Sequence, residues 1–364
     1  MQLPISQDLA ARILRFQDSA QFSLHTASDA YSPYWLHHRD QIRMKVDWDR
    51  LGNSALVNVE GDSGFYIPLS FKPRAHLIGV RAVASRFKSG TMAWARHVSP
   101  QGLDQPVHIP YRRAYDICQP HLQRYGPLNE TSMALPPTAK GVATEFTAWS
   151  GRIPNDHVFL AYHLLRLTCR FDGLPGPTGT VLEIGAGNGN MASLIKHYFP
   201  AKRMVIVDLP ETLQLSISYL GSLFPEALFI LPNEADSGDH DRCDFLFLTP
   251  DQIEKIPEES VSLAINMHSF QEMTAAQIES YFSLFERVLT SGGHSLVVNR
   301  VEKAPVASEI AVQGEQVNRF GDYPWPSTWE DVYYLNSEFH MLVQQDNIFV
   351  RLLRATPAST SGTQ

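Results

Sequence analysis

The chain has 364 residues, 44% of them hydrophobic and 19% charged, the composition of a soluble globular protein long enough for one large domain or two ordinary ones. Its net charge of −8 at pH 7, without a dense basic stripe, argues against a nucleic-acid partner, and no apolar run reaches membrane-spanning length. The charge is uneven: residues 1–150 hold 16 Lys+Arg against 12 Asp+Glu, and residues 151–364 hold 14 against 26. The basic half suits either a solvated surface or contact with a phosphorylated or carboxylated substrate.

The first residues place Leu9, Ile13 and Leu14 at helical spacing, which predicts a helix over 7–19. They lack the basic start and continuous apolar core of a secretory signal. Cys118, Cys169 and Cys243 are widely spaced and form no metal pattern, as expected in a reducing, cytoplasmic compartment. Residues 55–71 read as a hairpin around Gly61-Asp62-Ser63-Gly64, 76–87 as a further strand, and the Pro/Gly-rich stretch 99–141 as irregular. These signals define an N-terminal α+β accessory domain, 1–150, without fixing its fold. Residues 155–171 form an amphipathic helix with Val158, Tyr162, Leu165 and Cys169 on one face, followed by a Gly/Pro linker over 173–179.

From there strands and helices alternate, which predicts a doubly wound α/β sheet over a domain spanning 151–355. The first strand is Val181, Leu182 and Ile184, and the helix after it shows Met191, Leu194, Ile195 and Tyr198. The second strand covers 204–207, with Pro210 opening a helix whose stripe is Leu213, Ile217 and Leu220. The third is either 227–231 or 245–248, the latter favoured, with 232–243 as an acidic insertion. The fourth covers 261–266. Thr274-Ala275-Ala276-Gln277 is a capping box for a helix with Ile278, Tyr281, Phe282, Phe285 and Leu289 buried, ended by Ser291-Gly292-Gly293. The fifth strand covers 294–298. Runs 338–344 and 347–354 alternate around a turn and close the sheet as a hairpin, and the small polar tail 356–364 is expected to be disordered.

The densest signal is VLEIGAGNGN, 181–190: a buried strand, then a turn in which Gly185, Gly187 and Gly189 admit a ligand close to the backbone, then free amides at a helix start. Asn190 stands where the dinucleotide fingerprint needs its third glycine, so that fingerprint fails. The pattern present, with Glu183 two residues before the first glycine and Asp208 ending the second strand, resembles motif I of the Rossmann-like S-adenosylmethionine-dependent methyltransferases. That resemblance implies S-adenosyl-L-methionine as cofactor. Its amino-acid end would lie against Glu183 to Asn190, including Gly185, Gly187, Asn188 and Gly189. Its ribose would lie at Asp208 beside Leu209, and its adenine near Thr249–Gln252. Asn266, at the end of the fourth strand, joins the cofactor set.

Ligands of open parallel sheets collect at the carboxyl ends of the strands, and here the segment after the fourth strand reads Asn266-Met267-His268-Ser269-Phe270-Gln271-Glu272-Met273. Its S-F-Q-E-M run, with GAGNGN, VDLP and FGDYPWPSTWE, resembles the sugar O-methyltransferase family over roughly residues 145–355. The resemblance implies a sugar hydroxyl as acceptor, free, nucleotide-linked or part of a glycan. Methyl transfer from a sulfonium needs alignment and, for a hydroxyl, a base. His268 and Glu272 are the candidate bases, against a structural histidine and a helix-start acid. Gln271 binds acceptor or shapes the turn. Tyr323 and Trp325, beside Asp322, offer ring faces to a sugar or simply pack a proline-rich loop with Trp329. Arg300 and Arg319 hold an anionic group or form ordinary ion pairs. No metal is expected. Rival readings are O- or N-methylation of a non-sugar metabolite, and a non-catalytic module that keeps the cofactor fold; a homodimer is compatible with the chain.

Overall fold

The computed structural model describes residues 2–23, 46–47, 56–59, 145–148, 151–154 and 179–356, with breaks at 201, 237–239, 241, 304–316 and 338–346, and the single residues 32, 35 and 163. The 60–71 part of the expected hairpin, the strand over 76–87, the segment 99–141, the helix over 155–171 apart from residue 163, the 173–178 part of the linker, the run 338–344 and the tail from 357 lie outside the described residues.

The N-terminal elements are β1 (Gln2–Pro4), α1 (Gln7–Gln17), α2 (Ala20–Ser23), β2 (Val46–Asp47), β3 (Leu56–Val59), β4 (Glu145–Ala148) and β5 (Gly151–Pro154). The strand half of the expected 55–71 hairpin is β3, but it pairs antiparallel with β1 and β2, in the order β1-β3-β2. β4 and β5 form their own antiparallel pair across residue 150, so a division drawn there cuts a hairpin.

The second half supplies β6 (Gly179–Ile184), α3 (Asn190–Tyr198), β7 (Lys202–Val207), α4 (Pro210–Leu223), β8 (Phe229–Ile230), β9 (Phe245–Leu248), β10 (Val261–Met267), α5 (Ala275–Val288), β11 (Leu289–Arg300), β12 (Glu302–Lys303), β13 (Asn318–Arg319), β14 (Glu330–Asn336) and β15 (Ile348–Arg354). Eight strands form one sheet in the order β14-β15-β11-β10-β6-β7-β9-β8. The six from β11 to β8 are parallel; β15 runs antiparallel to β11 and to β14. Both candidates for the third strand are present: Phe245–Leu248 lies beside β7 and Phe229–Ile230 adds a short outer edge. Two expectations need correction. The partner of β15 is Glu330–Asn336, so the closing hairpin is longer than a turn around 345 would allow. And α5 ends at Val288, with β11 beginning at once and Gly292 adopting φ +75° within that strand.

The parallel strands are apolar on both faces, as burial between two helix layers requires. Val181, Met204, Ile206, Leu263 and Ile265 face α3, α4 and α1; Leu182, Ile184, Val205, Val207 and Ala264 face α5 and the 320–325 loop. α1 is integral to the first layer. Ser6 caps it by accepting from the Leu9 amide, and Leu9, Ala10, Ile13 and Phe16 are buried against the sheet unit. Burial of a side chain of that size contributes about 1.5–3 kcal/mol. Arg12 clamps its outer end, donating from Nε to Glu234 Oε1 at 2.8 Å and from Nη2 to the Phe229 carbonyl at 2.6 Å. Among the described residues no helix is long and apolar enough to cross a membrane.

Strand order reverses at β6: the chain leaves it toward β7 on one side and returns to β10 on the other. The carboxyl ends of β6 and β10 therefore flank a crevice, the place where such sheets bind ligands.

Candidate functional site

The turn after β6 rests on three left-handed glycines, Gly185 (φ +73°), Gly187 (φ +58°) and Gly189 (φ +86°). Two of them do different things. A Cβ on Gly185 would stand 2.1 Å from Ser269 Oγ, so this glycine lets the turn close onto the segment after β10. A Cβ on Gly187 would meet no atom within 4 Å, so that glycine faces open space. Gly189 is the N-cap of α3.

Asp208, just past β7, closes the turn from the other side. Its Oδ2 accepts from the Gly187 amide at 2.8 Å and its Oδ1 from the Leu209 amide at 2.7 Å. A carboxylate has about four acceptor positions, so two remain for a ligand's hydroxyls. Burial holds Asp208 up at about 7; the two amides oppose that shift, while the charges of Glu272 and Glu211 add to it. Glu183, in β6, is 3% exposed. The Ala192 amide in the first turn of α3 holds its carboxylate, yet its Oε2 has no hydrogen-bond partner. Burial and the charge of Asp208 push Glu183 up to about 8. Leu209 is buried, and Asn188 is buried within the turn. Thr249 is also buried, and its hydroxyl donates to Asp251 Oδ1 at 2.6 Å as part of a cap completed by Gln252. Its side chain therefore shapes the loop after β9 rather than standing free.

The opposite wall is made differently. Asn266, wholly buried at the end of β10, donates from Nδ2 to the Ile184 carbonyl at 3.0 Å and to Ser269 Oγ. Its Oδ1 accepts from the Phe270 amide at 3.2 Å and from Asn299 Nδ2 at 2.8 Å. Three of the polar groups of Gln271 are held: its amide by Asn299 Oδ1 at 3.2 Å, its carbonyl by Asn318 Nδ2 at 3.0 Å, and its side-chain Oε1 by the Arg300 amide at 2.9 Å. Asn318 Nδ2 also reaches the Met273 carbonyl at 2.7 Å. Gln271 Oε1 thus helps to shape the turn, and Asn266 ties β6, β11 and the turn after β10 together through both atoms of its amide.

What remains at the crevice from this wall is His268, Glu272 and the cations behind them. His268 adopts φ +63°, uncommon for a side chain with a Cβ, and its amide donates to the Val298 carbonyl at 2.8 Å. Such backbone strain persists where the surroundings over-determine it. Burial, then the charge of Arg300, lowers His268 to about 4, so the imidazole is neutral across the physiological range. Glu272 meets Lys303 Nζ from Oε1 at 3.3 Å, with both side chains close to nine-tenths covered.

The loop after β13 does not join them. Tyr323 and Trp325 pack with Phe270, Phe282 and Phe320 under α5. Trp325 donates its Nε1 proton to the Phe320 carbonyl at 3.0 Å, and the Arg351 guanidinium lies 4.5 Å from its ring centre. Asp322 is exposed at the surface, and Arg319 pairs with Glu302 in the β12–β13 ribbon. In this packing Tyr323 is buried and Trp325 half-buried. Asn299, Asn318 and Lys303 are the residues that the sequence reading missed. Asn299 had a visible signal, an amide inside the apolar run of β11; Asn318 and Lys303 sit at the ends of a segment with no periodic pattern.

Among the described residues no group of three or more His, Cys, Asp and Glu is disposed to hold a metal ion. The arrangement instead fits a nucleoside with a cationic extension: an open-faced glycine turn, a carboxylate with spare acceptor positions, and a buried carboxyl oxygen lacking a partner.

No protein-family model matches the chain, and no curated protein does. Among solved structures, the chain is similar over 54% of its length to 52% of phosphoethanolamine N-methyltransferase 2 from Haemonchus contortus, at 13% identity and a TM-score of 0.37. It thus spans about half of that enzyme. It is also similar, over 51% of its length and 67% of the other chain, to an arsenic(III) S-adenosylmethionine methyltransferase from Chlamydomonas reinhardtii, at 15% identity and a TM-score of 0.29. The observed strand order, with its antiparallel β15 set between β11 and β14, is that of a Rossmann-like methyltransferase fold.

Proposed function

We propose that the chain is an S-adenosylmethionine-dependent O-methyltransferase acting on a sugar hydroxyl. The observation that carries the cofactor is the pairing of Gly187, open-faced, with Asp208 and the unpartnered Glu183 Oε2 at one carboxyl-end crevice. Residues Gly185 to Gly189 would hold the amino-acid end of the cofactor together with Glu183, and Asp208 the ribose. When bound, S-adenosylmethionine supplies a methyl group made electrophilic by its sulfonium. The sugar acceptor is supported by the S-F-Q-E-M resemblance at Ser269 to Met273.

The chain's own part is alignment and proton removal. His268 is neutral and held in one backbone conformation by the Val298 carbonyl, so it can accept a hydroxyl proton without first losing one. Glu272, fixed by Lys303, orients the acceptor or takes the proton itself. Arg300, whose charge reaches His268, disfavours the imidazolium: it weakens the imidazole as a proton acceptor and favours onward loss of a proton once taken. The acid limb expected from an ordinary histidine near 6.5 is thus displaced to about 4.

The test uses methyl-labelled cofactor with free sugars, sugar phosphates and nucleotide sugars as acceptors, in single turnover. Wild type transfers label to a sugar hydroxyl. His268→Ala or Glu272→Gln lowers the rate by roughly a hundredfold or more while cofactor affinity stays within about threefold. Cofactor binding with no transfer to any sugar, or both variants within a few-fold of wild type, would overturn the proposal.

A further inference from the structure

The carboxyl pair at the donor wall includes a buried oxygen without a hydrogen-bond partner. Glu183 is 3% exposed, with one oxygen unpartnered. Asp208 faces it from the end of β7, and Asp208 is faced in turn by Glu272 from the turn after β10, Glu211 from α4 and the Tyr281 hydroxyl from α5. The cations nearby are committed elsewhere: Lys303 pairs with Glu272, and Arg300 faces His268. Among the described residues no ion pair reaches Glu183 or Asp208. A buried carboxylate that no ion pair among the described residues reaches favours the neutral acid.

We infer that Glu183 exchanges a proton for the ammonium at the amino-acid end of the cofactor, so that cofactor capture is proton-coupled and selective for ligands carrying that cation. On binding, the Glu183 O–H bond breaks, the electron pair stays on oxygen, and the proton leaves to solvent. The carboxylate so formed pairs with the bound ammonium and takes the proton back when the ligand leaves. This rests on the cofactor reading above. It makes Glu183 a specificity determinant rather than a generic polar contact, because a nucleoside without the amino-acid end brings no cation to drive the exchange. The value of about 8 for Glu183 sets the range: affinity for an ammonium-bearing ligand rises with pH toward 8 and falls again where the ligand's own ammonium deprotonates.

Isothermal titration calorimetry of the full-length protein in two buffers of different ionisation enthalpy counts the protons. With S-adenosylhomocysteine we expect release of about half to one proton per ligand near pH 7.5, falling to zero or to a small net uptake by the ligand's own amine near pH 9. With 5′-methylthioadenosine, which lacks the amino-acid end, we expect almost none at either pH. Glu183→Gln should bind S-adenosylhomocysteine roughly tenfold or more weakly and release under about one-fifth of a proton. Should that variant fail to fold, the two ligands on wild type decide the matter alone. S-adenosylhomocysteine binding without proton release, equal release with both ligands, or undiminished release in Glu183→Gln would overturn the inference and leave the cofactor reading standing. Absence of S-adenosylhomocysteine binding at any pH would overturn both.

Discussion

On the wall built by β6, β7 and the glycine turn, Glu183 keeps an unpartnered buried oxygen and Gly187 faces open space. On the wall built by β10, β11 and β13, Asn266, Asn299, Gln271 and Asn318 bond one another and the local backbone. Both walls are polar, and sequence alone gives them equal standing as ligand-binding surfaces. The difference lies in what the polar groups satisfy. A saturated network rigidifies a turn and presents few residues beyond it; an unsatisfied buried group is an expense that folding tolerates only where something else completes it.

Substitutions should therefore act with opposite signs on the two walls, and the largest effect should come where they touch. Gly185→Ala forces a Cβ against Ser269 at a left-handed backbone position. It should cost about 3–5 kcal/mol by denaturant unfolding, combining overpacking with left-handed strain. A loss under 1 kcal/mol would mean that the walls are not held in contact. Glu183→Gln should go the other way on stability. Because the folded-state value of Glu183 is raised to about 8, the folded protein binds a proton that the unfolded chain has already lost, and stability falls as pH rises from the ordinary glutamate range toward 8. Replacing the acid should stabilise the cofactor-free protein by about 1–3 kcal/mol at pH 8 and by little at pH 5. Unfolding curves for the variant that parallel wild type across this range would contradict the assignment.

Gln271→Ala removes the acceptor for the Arg300 amide. A loss of about 1 kcal/mol in stability is expected, with S-adenosylhomocysteine affinity within two- to threefold of wild type; a tenfold weaker complex would mean that the side chain also supports the cofactor wall. The smallest effect belongs to Tyr323→Phe. Its hydroxyl is buried without a partner among packed rings, so thermal unfolding should show a stability within about 0.5 kcal/mol of wild type or slightly above it. A clear loss would reveal a hydroxyl that does bind something.

The sheet was legible because its signals are local: apolar strands, capped amphipathic helices and a glycine turn each declare themselves within ten residues. The donor wall was legible for the same reason, since Glu183, the glycines and Asp208 are placed by two adjacent strands. The acceptor wall was not. Its polar density is visible in Asn266 to Met273, but whether each amide faces a ligand or a neighbour depends on Asn299 and Asn318, which lie about thirty and fifty residues away in the chain. Tyr323 and Trp325 were ambiguous for a related reason: an aromatic cluster reads alike whether it covers a sugar or α5. The role of α1 was hidden too, because an amphipathic stripe shows that a face is buried without naming the partner. Here the partner is the sheet unit itself, reached across more than two hundred residues to Glu234.

The central claim is that the open donor wall, and not the more fully hydrogen-bonded acceptor wall, is where the cofactor binds. Calorimetric titration of S-adenosylhomocysteine into full-length wild type and Gly187→Val tests it most directly. That substitution adds side-chain atoms where the protein itself places nothing within 4 Å. Wild type should bind one ligand per chain, and the folded variant should bind at least tenfold more weakly, with a left-handed backbone cost of only about 1–2 kcal/mol in stability. Equal affinity in a folded Gly187→Val would contradict the account, since the ligand could not then lie against the open face of the turn.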